Sequence, residues 1–205
     1  MCNLTYKTFK SKTNITEDKL EKLINYLNLI KKWQKKFNLI SKNSFSNIWQ
    51  RHFLDSYQIL NLVGNKKKVL DIGSGAGFPA IVCAICSDNI FHLVDSNKKK
   101  CLFLNEVKKK IKLKNIVIHN LRIEDLKLKT NFNFITSRAV ASVEKLLKYS
   151  SNFHKKKTNF ILLKGKTVEN EVLLARKKYL FQIKFIKSIT DKEGNVLIIK
   201  NVKKK

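Results

Sequence analysis

The residues with the plainest chemical purpose stand in one run, Asp71-Ile72-Gly73-Ser74-Gly75-Ala76-Gly77-Phe78-Pro79. It follows a short apolar stretch of strand character and opens an apolar stretch of helical character. Three alternate glycines let the main chain turn tightly and approach a ligand without a Cβ in the way. That ligand then meets the free N–H groups of a helix start, where Pro79 suits a first helical position. Loops of this kind serve nucleoside-bearing ligands. A dinucleotide fingerprint, G-x-G-x-x-G, would need its third glycine at position 78. Phe78 stands there instead, and the third glycine is Gly77.

The spacing G-x-G-x-G, with an acid two residues ahead of the first glycine, is the form that takes S-adenosylmethionine. Asp95 ends the next apolar run, 18 residues after Gly77. A carboxylate in that place accepts hydrogen bonds from ribose hydroxyls. Glu124 and Asp125 follow the third such run, near where an adenine ring would lie. Asp71, Gly73, Gly75, Gly77 and Asp95 are therefore the expected cofactor-binding set.

These residues need elements to hold them. Thr16 can cap a helix whose first turn carries Glu17 and Asp18, and Leu20, Leu23, Ile24, Leu27, Ile30 and Phe37 recur at helical spacing, with Trp33 beside them. A second helical pattern covers Ser46 to Leu62, so residues 1–65 form a helical N-terminal extension. From residue 66 to 205 the pattern alternates. Strands are expected at Val69–Ile72, Phe91–Asp95, Ile116–Ile118, Phe132–Thr136 and Phe160–Leu163, and a closing pair at Phe181–Ile189 and Val196–Lys200. Helices are expected at Lys98–Leu113, Val140–Phe153 and Val168–Tyr179. Alternation of this kind predicts an α/β fold with a seven-stranded, mostly parallel sheet covered on both faces.

The charge is extreme: 43 Lys plus Arg against 15 Asp plus Glu among 205 residues, a formal net +28. Such a field attracts polyanions, with nucleic acid first among them. Only Arg51, Arg122, Arg138 and Arg176 are arginine, leaving 39 Lys, and Asn, Ile and Phe are abundant. That pattern also fits drift toward AT-rich codons, and it locates no binding face. Five lysine triplets, among them Lys66–Lys68 and Lys155–Lys157, read as solvated surface. The basic, polar start of the chain has no signal-peptide character, and no apolar run is long enough to cross a bilayer, which predicts a cytoplasmic protein without a membrane partner. Cys2, Cys83, Cys86 and Cys101 suit a reducing compartment. Cys83 and Cys86 have C-x-x-C spacing but read as core residues, so no metal site is expected.

Absent motifs narrow the acceptor. Methylation of an exocyclic base nitrogen usually employs an Asn/Asp-Pro-Pro-aromatic loop, which a chain whose single proline is Pro79 cannot form. C5 methylation of pyrimidines employs a cysteine nucleophile, commonly in a Pro-Cys pair, and Pro79 precedes Ala80. Three readings stay open on the residues alone. One is methylation of ribosomal RNA. Another is a methyltransferase of the same fold acting on a ribose hydroxyl or a protein. The third is a non-catalytic RNA-binding assembly factor.

Taken in order, Trp33-Gln34-Lys35-Lys36-Phe37-Asn38-Leu39, Arg51-His52-Phe53-Leu54-Asp55-Ser56, Asp71 to Pro79, Leu93-Val94-Asp95-Ser96, Ser137-Arg138-Ala139 and Leu163-Lys164-Gly165 resemble the bacterial glucose-inhibited division protein B family. The resemblance covers nearly the whole chain; Ala80 stands where a glycine is usual. It implies a Rossmann-like class I S-adenosylmethionine-dependent methyltransferase that acts, as a monomer, on N7 of a specific guanine in 16S ribosomal RNA of the small subunit. It further implies that Gly73, Phe78, Ile123, Glu124 and Arg138 contact S-adenosylmethionine. An in-plane N7 lone pair needs no prior proton removal, so positioning can suffice, in keeping with the lack of an acid–base constellation. No catalytic residue is assigned; Arg138 and Lys164 are the positioning candidates, Lys164 for its place at the end of the fifth strand, where it would meet phosphate. In a chain so rich in lysine, an arginine at position 138 points to a need for the planar guanidinium. Arg51 and His52 either hold RNA or tie the helical region to the sheet, the second being favoured.

Overall fold

In a computed structural model, which describes residues 4–153 and 157–205, the chain begins with helices. They are α1 (Tyr6–Thr13), α2 (Glu17–Gln34) and the single turn α3 (Lys42–Phe45). A wide π-helical turn, Trp49–Leu54, then runs into the short turns α4 (Asp55–Tyr57) and α5 (Leu60–Val63). The alternating part follows in the order β1 (Lys68–Ile72), α6 (Ala80–Cys86), β2 (Ile90–Val94), α7 (Lys98–Ile111), β3 (Ile116–His119), β4 (Phe134–Arg138), α8 (Val143–Tyr149), β5 (Asn159–Lys164), α9 (Val168–Arg176), β6 (Tyr179–Lys187) and β7 (Asn195–Lys204). Cys2, Lys155 and Lys156 lie outside the described residues.

The seven strands form one sheet in the order β3-β2-β1-β4-β5-β7-β6. β1 to β5 are parallel, while β7 runs antiparallel to both β5 and β6. The strand order reverses between β1 and β4, and in open α/β sheets ligands bind at the C-terminal strand ends beside that point. One apolar cluster joins the N-terminal helices to one face of the sheet, with Phe9, Leu23, Tyr26, Ile30 and Phe53 packed among Ile81, Phe103 and Leu104. The other face packs on α8 and α9 through Leu70, Ile135, Leu146, Leu147 and Ala175. Cys83 sits in the first cluster, its thiol donating to the Ser56 carbonyl at 3.3 Å, and burial raises the pKa of both Cys83 and Cys86, the latter to about 12.

Several boundaries depart from the sequence reading for local reasons. The polar start of the chain contains α1, because Thr5 caps it by accepting the Thr8 N–H and Phe9 anchors it in the core. The single helix expected over Ser46–Leu62 is interrupted, with the Trp49–Leu54 turn wound wide. β4 begins two residues late, since Asn133 spends its side chain on the Lys68 N–H at 2.9 Å. Phe132, which extends the apolar pattern, is instead core packing in T-shaped contact with His92 and Phe153. α8 starts only at Val143, where Ser142 caps it, and ends at Tyr149, short of the expected Phe153. α9 stops at Arg176; β6, at Tyr179–Lys187, lies two residues earlier than expected at both ends, and β7 is longer than expected, Asn195–Lys204.

Candidate active site

The glycine loop leaves β1 with its geometry set by three neighbours. Gly73 and Ser74 both donate backbone N–H groups to the Val94 carbonyl, extending the β1–β2 ladder past the last paired residue. The Gly75 N–H then turns to the Asp95 carboxylate, 2.8 Å from Oδ2. Asp95 Oδ1 accepts the Asn97 N–H at 2.8 Å. Gly77, at φ +93°, lies where a Cβ would come within 2.5 Å of Ile81 Cγ1 and 3.0 Å of Leu104 Cδ2 and the Tyr26 hydroxyl oxygen. Tyr26 seals that side by donating its hydroxyl to the Ala76 carbonyl. Pro79 precedes the first helical residue, Ala80, and follows a cis peptide bond.

Beside this loop lies a cavity of about 760 Å³. Gly73, Gly75, Phe78, Asp95, Ile123 and Glu124 line it, together with Arg138 and Lys164. Asp71 and Gly77 do not; they work from behind the wall. Asp71 is 1% exposed, and its Oδ1 accepts the Thr136 hydroxyl at 2.8 Å while its Oδ2 is buried without a partner. Burial raises its pKa to about 6, against the pull of hydrogen bonds and of Arg138. The residues fit S-adenosylmethionine. Each Asp95 oxygen retains a free lone pair for a ribose hydroxyl after taking its backbone N–H. A Cβ on Gly75 would make only ordinary van der Waals contact at the wall, its nearest atoms the Gly73 carbonyl oxygen at 3.8 Å and Lys100 Nζ at 3.9 Å, so no protein atom crowds the position.

The opposite wall comes from the N-terminal helices and the β6–β7 connection. Arg138, at the end of β4, donates through one guanidinium nitrogen to the Arg51 carbonyl at 2.9 Å and to Asp55 Oδ2 at 3.3 Å, and through the other to His52 Nδ1. Its plane lies 5.2 Å from the centre of the Phe78 ring, on which His52 also packs at 4.8 Å. Burial pulls the Arg138 pKa down and Asp55 opposes that pull. Burial, then Arg138 and Arg51, lower the His52 pKa to about 3, so the ring is neutral at ordinary pH. Asp55 Oδ1 accepts the Thr190 hydroxyl at 2.7 Å, and Arg51 pairs with Asp191 at 2.6 Å. Arg51 and His52 thus join the helical region to the sheet and also border the cavity.

Lys164 ends β5 at the cavity, but its ammonium is already engaged. It donates to Glu171 Oε2 at 2.8 Å and to the Ala141 carbonyl, with the side chain 7% exposed. A buried ammonium held by a carboxylate is poorly placed to reach RNA phosphate. Sequence reading missed the β6–β7 connection, where Thr190, Asp191 and Asn195 reach the cavity, and the stretch Leu39–Ser41. Asp55 belongs to the Arg-His-Phe-Leu-Asp-Ser motif, but its partnership with Arg138, 83 residues away, has no local signal in the sequence.

The comparisons with known proteins agree with this geometry. Residues 19–199 match the GidB family model, described as rRNA small subunit methyltransferase G. A relative from Rickettsia typhi named ribosomal RNA small subunit methyltransferase G is 40% identical over 186 residues, spanning 90% of this chain and 95% of its own. One of the same name from Parvibaculum lavamentivorans is 33% identical over 202 residues, spanning 96% and 89%. Among solved structures, a putative S-adenosyl-L-methionine-dependent methyltransferase from Methanococcus maripaludis superposes with a TM-score of 0.61 at 20% identity, covering 86% of this chain and 95% of its own. A ribosomal protein L11 methylase from Lactobacillus delbrueckii reaches 0.59 at 13% identity, covering 72% and 76%. These two speak to the fold alone, the Rossmann-like fold of S-adenosylmethionine-dependent methyltransferases. By sequence over nearly its whole length, the chain belongs to the GidB family of rRNA small subunit methyltransferase G.

Proposed function

We propose that this protein methylates N7 of a specific guanine in 16S ribosomal RNA of the small subunit, using S-adenosylmethionine. The observation that carries the reading is the convergence of Gly75, Asp95, Glu124 and Arg138 on one cavity at the sheet's switch point, in a chain of this family. S-adenosylmethionine supplies a methyl group on a sulfonium, which transfers to a nucleophile by in-line displacement. The protein's part is to hold the two reactants. The Gly75 loop and Asp95 suit the ribose, Ile123 and Glu124 the base beside it, and Arg138 keeps guanidinium protons beyond those given to Arg51, His52 and Asp55 for an anionic group. His52, with Nδ1 against Arg138 and its pKa near 3, is unsuited to remove a proton at neutral pH. An N7 acceptor requires no such step. The reading carries with it a monomeric enzyme in the cytoplasm, where the subunit is assembled.

The test is transfer of tritiated methyl to undermethylated small-subunit RNA, followed by nucleoside analysis. Label in 7-methylguanosine is expected; label in any other nucleoside overturns the reading.

A further inference from the structure

Arginine is distributed very unevenly in this protein. Three of its four arginines, Arg51, Arg122 and Arg138, line the cavity beside the glycine loop, whereas the described lysines on that wall, from a total of 39, are Lys100 and Lys164. The fourth, Arg176, lies outside it, over the Phe181 ring. Arg138 and Arg51 have carboxylate partners in Asp55 and Asp191. Arg122 differs. It is exposed, and among the described residues its guanidinium has no hydrogen-bond or ion-pair partner, although Glu124 and Asp125 follow closely. Its backbone is not free to wander, since the Arg122 carbonyl accepts the Asp125 N–H at 3.0 Å at the start of a 3-10 turn, Ile123–Asp125. A planar, bidentate donor held at a cavity mouth with nothing of its own chain to bind matches a planar, bidentate acceptor brought by another molecule.

The surroundings say which acceptor. β2 and β3 are parallel neighbours, with Val94 opposite His119, and Asn120 donates to the Asp95 carbonyl at 3.1 Å. The segments leaving the two strands therefore run side by side, and the one after β2 carries Lys98, Lys99 and Lys100. These three occupy the first turn of α7, which has no acidic residue there, so they add to the positive end of the helix dipole instead of neutralising it. Of the three, Lys100 lines the same cavity as Arg122, and a guanidinium that shares a cavity with such a helix start favours an anion over a neutral base edge. Resting on the rRNA methylation reading, we propose that Arg122 grips a backbone phosphate of the RNA strand next to the acceptor guanosine, and that the strand enters across the β2–β3 side of the cavity.

Methyl transfer to undermethylated small-subunit RNA, measured across a salt series with the full chain, tests this. Arg122→Ala is expected to raise KM for RNA about tenfold, the loss of one charge-assisted bond. kcat and the calorimetric affinity for S-adenosylmethionine should remain within about twofold of wild type, well inside one hydrogen bond's worth. The slope of log KM against log salt should fall by about 1, as one phosphate contact is lost. Arg122→Lys should restore the slope but only part of the affinity, because a point charge replaces a fork. An unchanged KM overturns the proposal, and so does a raised KM with an unchanged slope, which would mean a base or sugar contact. A parallel loss of S-adenosylmethionine affinity overturns it too. Wild-type protein that leaves RNA unlabelled removes the underlying function and this contact together. Labelling by wild type and both variants alike removes only the contact.

Discussion

The Asp95 carboxylate accepts the Gly75 N–H at 2.8 Å, so the acid at the end of β2 also pins the glycine loop that leaves β1. One side chain thereby sets the shape of the loop and, on the proposed reading, is also the ribose acceptor. Asp95→Ala removes both functions, whereas Asp95→Asn keeps one oxygen acceptor and places an amide against one of the two N–H groups. We expect S-adenosylmethionine affinity to fall more than about tenfold in both, since a hydrogen bond to a charged group is worth about 1.5–3 kcal/mol. Calorimetry checks this, and unchanged affinity in Asp95→Ala would show that the carboxylate does not face the cofactor.

Gly75 and Gly77 are two residues apart and should fail differently. Gly77→Ala drives a methyl into Ile81, Leu104 and Tyr26 at a left-handed φ, and we expect a loss of about 2–3 kcal/mol in stability by urea unfolding. Gly75→Ala meets only ordinary van der Waals contacts and carries only the left-handed penalty of about 1 kcal/mol, but it adds a methyl at the cavity wall. Its main defect should be cofactor affinity. Equal effects of the two on stability would refute this division.

Lys164 should prove structural. Replacing it with Met leaves Glu171 without its 2.8 Å partner, although the Val143 N–H still reaches that carboxylate at 3.0 Å. We expect destabilisation of about 2 kcal/mol and partial recovery in the Lys164→Met/Glu171→Gln double variant, read from denaturant midpoints. A loss of activity in Lys164→Met without any loss of stability would restore a direct role at the acceptor.

Stability should fall on mild acidification. His52 has its pKa lowered from 6.5 to about 3, and His92, against His119 at 3.0 Å, has its own lowered to about 4 by burial first, then by His119 and Lys68. The unfolded chain takes up these protons below pH 6.5 while the folded chain does not, so their contribution is present above 6.5 and is lost as pH falls toward 4. Asp71 opposes this, because its raised folded-state pKa of about 6 favours the folded form below 3.8, a contribution lost as pH rises through 6. Two histidines outweigh one carboxyl, and the net direction is loss with acid. Urea midpoints between pH 7 and 4 check it, and His92→Gln should shrink the decline. A midpoint that rises on acidification would reverse the assignment.

Much of the fold was legible because it follows from local pattern. Apolar runs of strand length, the Thr16 cap and the alternation after residue 66 are properties of neighbouring residues, and the mostly parallel seven-stranded sheet follows from them. The methyl-donor loop was equally local, since the spacing of Gly73, Gly75 and Gly77 and the acid at position 95 are one-dimensional facts. Boundaries slipped where a side chain captured a backbone group, as Asn133 does at the start of β4, because apolar periodicity is blind to that exchange.

What only tertiary structure decided was how charges are partnered. In sequence, Lys164 was expected at the acceptor, while Arg122 carried no expectation beyond its charge. Folding buries the first against Glu171, contributed by the next helix, and leaves the second at the cavity, with no side-chain partner among the described residues. Arg138 meets Asp55 across 83 residues, and Asp55 meets Thr190 across 135. Hydrogen bonding and burial depend on distances in space, and those are set by how the N-terminal helices and the β6–β7 connection close over the sheet. The spacing of the glycine loop pointed to the methyl donor, and the packing around it determined which cations at the cavity are paired.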